Sequence, residues 1–147
     1  MTMRRTIARF LVSAVAGVLC FGMGATAAQA DPLPQWAPFG TTLYTFGDAN
    51  FCTGTIAVGV EAAPGMPGHV LAHVTPLGYQ RGPCGNHVMF GWVGSAGARH
   101  QDVYVRTDAA PGATVTVDLW IGMGPAKIMA DTWPIQGPFT EWYLYVP

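Results

Sequence analysis

Proline and glycine cut this chain into short pieces. Its 12 prolines, with many of its 19 glycines, gather chiefly in DPLPQWAP, AAPGMPG, PLGYQRGPCG, DAAPGA, GMGPA and WPIQGP. Proline removes a backbone donor and fixes φ, and glycine opens turn conformations, so no long helix passes through such clusters. Between them lie short β-branched and aromatic runs, the pattern of many strands joined by tight turns.

The expected strands fall at about 40–46 (GTTLYTF), 52–62 (CTGTIAVGVEA), 68–75 (GHVLAHVT), 86–93 (NHVMFGWV), 100–107 (HQDVYVRT), 113–121 (ATVTVDLWI), 127–133 (KIMADTW) and 140–146 (TEWYLYV). The clearest is 113–121, where Val115, Val117, Leu119 and Ile121 alternate with Thr114, Thr116, Asp118 and Trp120. A period of two sends one set to each face of a sheet. The best helical alternative is PAKIMADTW at 125–133, since proline suits a first helical position. Asp131 to Trp133 suit a strand end equally well. Seven to eight short strands spaced in this way predict an all-β fold, an antiparallel β-sandwich of immunoglobulin-like architecture.

The first 30 residues read as a leader rather than as part of that fold. Arg4, Arg5 and Arg9 precede the apolar run FLVSAVAGVLCFGMGA, and Ala28-Gln29-Ala30 forms a small-x-small cleavage site. These three regions make a secretory signal peptide at 1–30. Its apolar run is shorter than the roughly 20 residues that a membrane span needs. Leu19 before Cys20 argues against a lipoprotein anchor, and no later segment is a candidate span. The expectation is a bacterial protein secreted to the extracellular space or cell envelope, with residues 31–147 as its single domain.

Two cysteines remain in that domain, Cys52 and Cys84. An even pair in an exported chain reads as a disulfide. In the expected strand layout both lie at the same end of the sheet, where their Cα atoms come within bonding range.

Charge excludes one class of function. Residues 31–147 carry eight acids but only Arg81, Arg99, Arg106 and Lys127 as basic groups, a net charge of −4. The basic residues are scattered, so the cationic footprint that nucleic acid requires is missing.

HVLAHV at 69–74 raises the question of a metal pair. On a helix, histidines four apart share a face and grip one zinc. On a strand they stand about 13 Å apart, at ~3.3 Å per residue. A zinc–nitrogen bond is about 2.1 Å. Val70, Ala72 and Val74 alternate between Gly68 and Pro76, so the segment reads as strand, and neither a metal nor another cofactor is expected. A polar cluster of His73, His87, His100 and Asp102 remains the candidate for acid–base work across neighbouring strands.

Other chemistry is sparse. Ser95 in GSAG lacks the G-x-S-x-G context. The acids Asp48, Glu61, Asp102, Asp108, Asp118, Asp131 and Glu141 do not cluster in sequence. The other notable feature is aromatic: Trp120, Tyr143 and Tyr145 alternate out of the core pattern and form a candidate binding platform if their strands are neighbours.

These features favour a non-enzymatic binding protein whose partner is a protein, glycan or lipid. The alternatives are a small hydrolase or metal-dependent enzyme on the His/Asp cluster, and a protease-inhibitor-like domain presenting Arg81 on PLGYQRGPCG.

Overall fold

The computed structural model describes residues 32–38, 40–47, 52–133 and 137–147. The leader read at 1–30, Asp31 and Asp48 lie outside the described residues. Every regular element among the described residues is a strand: β1 (Gln35–Trp36), β2 (Thr42–Thr45), β3 (Gly54–Ala62), β4 (His69–Tyr79), β5 (Cys84–Gly94), β6 (Gly97–Thr107), β7 (Val115–Trp120), β8 (Gly124–Trp133) and β9 (Thr140–Val146). They form two antiparallel sheets, one of five strands in the order β1-β9-β8-β5-β6 and one of four in the order β2-β3-β4-β7. The chain is a β-sandwich, as its punctuation implies.

Alternation builds the core. Ile56, Val58 and Val60 of β3 and Val70, Ala72 and Val74 of β4 turn inward from the four-stranded sheet. Val88, Phe90 and Trp92 of β5, Ile128 and Ala130 of β8, and Trp142, Leu144 and Val146 of β9 meet them from the five-stranded sheet. Each large side chain so buried contributes about 1.5–3 kcal/mol. Trp92 also ties the layers together, because its Nε1 donates to the backbone oxygen of Trp120 at 3.1 Å.

The boundaries depart from expectation where tertiary pairing overrides local signals. The helical alternative at 125–133 gives way to β8, which bonds to β5 on one side and β9 on the other. β4 runs through Pro76 to Tyr79 instead of ending at the proline. Ile56 faces Pro76 and Thr55 faces Gly78, so Leu77 is the extra residue of a bulge. A bulge is where a strand tolerates a residue without an N–H. β1 has no counterpart among the expected strands. It is two residues long and exists only through its pairing with β9.

The disulfide joins Cys52, just before β3, to Cys84 at the start of β5, with Cα atoms 6.3 Å apart. It therefore links the two sheets at one end, packed with buried Tyr79. Gly47 lies on it with φ +76°, and a Cβ there would overlap both sulfurs.

Candidate binding face

The solvent-facing side of the five-stranded sheet carries most of the unusual side chains. The register sets them in rows across the strands. Trp36 of β1, Tyr143 of β9, Lys127 of β8 and Val93 of β5 share one row. The next holds Glu141, Met129, Gly91 and His100. Then come Asp131, Met89 and Asp102, and finally Trp133, His87 and Tyr104.

Two aromatic groups thus stand at opposite corners. Trp36 is 65% exposed and packs against Tyr143 with ring centroids 5.8 Å apart. Tyr145 is exposed one step further along β9. At the other corner Trp133 is 53% exposed, and the rings of His87 and Tyr104 lie 4.9 Å apart. The corner rows are six residues apart along β5, about 20 Å at ~3.4 Å per residue. Gly91 lies between them, and a Cβ there would meet nothing within 4 Å. Its missing side chain leaves a saddle in the face. Beside it, Met89, His100, Asp102 and Trp133 line a pocket of about 290 Å³.

Several polar groups of this face are held in place. Lys127 forms an ion pair with Glu141 and lies over the Tyr143 ring, 5.3 Å from its centroid. The Tyr143 hydroxyl donates to Glu141 Oε1 at 2.9 Å. Hydrogen bonding to Glu141 raises the Lys127 pKa, and the same bond from Lys127 lowers that of Glu141. His87 Nδ1 and Asp102 Oδ2 are 2.5 Å apart.

The four-stranded sheet also presents polar groups on its outer side. His73 Nε2 lies 2.8 Å from Glu61 Oε1, and its Nδ1 lies 2.9 Å from Thr116 Oγ1. His69 Nδ1 lies 3.0 Å from Asp118. The Glu61–His73–Thr116 order resembles a general-base relay. It lies open on a sheet face, however, with the His73 side chain 31% and Glu61 35% exposed. Water at the site removes the low-dielectric setting from which such relays draw their strength.

These placements divide the residues singled out from the sequence. HVLAHV is strand, and its two histidines take separate partners on either side of Leu71. His87 and Asp102 meet, and His100 stands on the same face two residues from Asp102. His73 is on the other sheet, so the four groups do not converge. Trp120 is likewise on the other sheet, in β7 and under the Arg99 guanidinium at 4.8 Å, whereas Tyr143 and Tyr145 are on β9. No three-ring platform of Trp120, Tyr143 and Tyr145 forms. Trp36 takes the position beside Tyr143, and Trp133 and Tyr104 supply the second group. The sequence offered one signal for Trp36, an aromatic residue lodged between prolines in PQWAP. Arg81 is exposed in the connection between Tyr79 and Cys84.

Among the described residues, no three or more His, Cys, Asp or Glu side chains group to hold a metal ion. No helix of the described residues is long and apolar enough to cross a membrane. Comparison with protein-family models, with curated proteins and with solved structures found no match.

Proposed function

We propose that the protein is an exported, non-catalytic binding module of the cell envelope or extracellular space, and that the outer face of its five-stranded sheet takes an extended, uncharged oligosaccharide. The leader-like sequence at 1–30 supports export. The observation that carries the ligand class is the pair of exposed aromatic groups flanking the Gly91 saddle. Aromatic rings offer flat apolar surface with polar edges, which suits the faces of sugar rings. Between them, Asp131, Asp102 and His100 supply hydrogen-bonding groups for hydroxyls. The described cations of this face are Lys127, engaged by Glu141, and Arg106 at the β6 edge, which form no cationic row to hold a polyanionic chain. A span of about 20 Å between the aromatic rows suits a chain of several sugars rather than one.

Calorimetric titration with neutral oligosaccharides of increasing length tests this reading. Affinity is expected to rise with length until both aromatic groups are covered. Trp36→Ala and Trp133→Ala are each expected to weaken binding about tenfold, equivalent to 1.4 kcal/mol. Trp120→Ala, on the other sheet, leaves it unchanged. Equal loss from all three variants, or no binding by any neutral oligosaccharide, rejects the proposal.

A further inference from the structure

Four strands close the edges of the two sheets, and they differ greatly in length. β1 has 2 residues, β2 has 4, β7 has 6 and β6 has 11. β6 ends the five-stranded sheet and bonds within it only to β5. A long strand with one unpaired side is a template for another strand. It contains no proline to blunt it.

The direction of its unpaired groups follows from the hairpin. β5 and β6 are joined by a two-residue turn, Ser95-Ala96, with Gly94 facing Gly97. The pair flanking such a turn is a hydrogen-bonded one, and such pairs recur every second residue. Odd-numbered residues from 97 to 107 therefore bond to β5. Even-numbered residues direct their N–H and C=O groups to the open side. The same residues, His100, Asp102, Tyr104 and Arg106, carry side chains on the outer face.

These outer residues are self-complementary in charge about Tyr104. Against an antiparallel second copy with Tyr104 facing Tyr104, Asp102 faces Arg106 at two symmetric places. The inner residues then match as well, Val103 facing Val105 twice. Sliding the partner two residues in either direction loses both ion pairs. It sets Arg106 against His100, or Asp102 against Asp108. Opposite charges directly across an antiparallel pair stabilise it, and like charges oppose it. Among the described residues Arg106 has no ion pair or ring contact. The His87 contact to Asp102 engages Oδ2, which leaves Oδ1 for a cation across the edge.

We infer that the protein pairs with a second copy of itself through β6, in the register centred on Tyr104, to form one continuous ten-stranded sheet. The pairing is isologous, with the same edge used by both copies and a closed two-fold symmetry. The axis stands perpendicular to the sheet, so the outer faces of both copies look the same way. Ligand sites on those faces, whatever they bind, are then presented as a pair to one extended target. The inference does not depend on the identity of that ligand, and its test reads mass rather than ligand binding.

Sedimentation equilibrium of the purified protein is expected to show a monomer–dimer equilibrium. Arg106→Asp places carboxylates opposite Asp102 at both symmetric positions and is expected to weaken dimerisation by about tenfold or more. Combining it with Asp102→Arg reverses both signs and restores the dimer. Amide exchange provides a readout that needs no variant: the N–H groups of Asp102, Tyr104 and Arg106 become protected as protein concentration rises. A monomer at concentrations up to about 1 mM, the Kd of very weak association, overturns the inference. So does a dimer indifferent to Arg106→Asp, or a doubly substituted protein that stays monomeric while melting like the wild type.

Discussion

Glycine at position 91 is a residue whose side chain is defined by absence. It lies mid-strand in β5, where any residue fits the backbone, and a Cβ would meet nothing within 4 Å. Packing therefore does not require glycine there. Gly91→Leu is expected to leave the melting temperature within about 2 °C, since surface changes are usually within ±0.5 kcal/mol. The same change fills the saddle and is expected to abolish oligosaccharide binding in the titration above. Retained binding would move the ligand off this face. The Lys127–Glu141 pair behaves differently, because it couples the face to pH. Glu141 is held below its ordinary value of 4.5, so its contribution to stability is full above that value and lost as pH falls through the lowered one. Lys127 is held above its ordinary 10.5, so its contribution is full below that value and lost as pH rises through the raised one. Stability from the pair is thus greatest between the two. Glu141→Gln is expected to flatten the acid side of the pH–melting curve. An unchanged acid limb would show that the ion pair does not form in solution.

At the scale of elements, glycine and proline act through backbone geometry. Gly47 combines φ +76° with direct apposition to the disulfide sulfurs. Gly47→Ala is expected to cost more than the roughly 1 kcal/mol of an ordinary strained glycine, because overlap adds to the conformational penalty. Chemical denaturation would read this as a lower midpoint with an unchanged slope. Pro76 shows the opposite relation. Its lack of an N–H suggested a strand end, yet the bulge at Leu77 lets β4 continue to Tyr79. That continuation brings Tyr79 against Cys52 and Cys84, and its hydroxyl donates to Asn86 Oδ1 at 3.3 Å. The turn chemistry was legible in the sequence. The pairing across from it, which decides whether the strand stops, was not.

For the whole molecule, the disulfide and the shared core act on the same balance. The Cys52–Cys84 bond closes a loop with a sequence separation of 32. Chain entropy assigns about 3.7 kcal/mol to a loop of that length. Replacing both cysteines with alanine is expected to lower the urea midpoint by an amount corresponding to about 3–4 kcal/mol. A shift below about 1 kcal/mol would mean that the unfolded chain already holds the two ends together. Phe90, fully buried between the sheets, sets the comparison. Phe90→Ala is expected to cost about 3–5 kcal/mol by leaving a cavity. One core aromatic and the single staple therefore matter to similar degrees in a sandwich of this size.

The sequence by itself determined the all-β class, the alternation that sorts residues into core and surface, and the pairing of Cys52 with Cys84. These depend on local rules: the two-residue period of a strand, the turn preferences of glycine and proline, and the presence of only two cysteines after residue 30. Only the tertiary structure decided which surface residues share a face. Alternation says that Trp120 and Tyr143 both point outward, but strand order puts β7 and β9 in different sheets. The same order separates His73 from His87 and brings Trp36 to Tyr143 through a strand too short to have a pattern. Strand order is set by contacts between residues distant in sequence, and no local period encodes it.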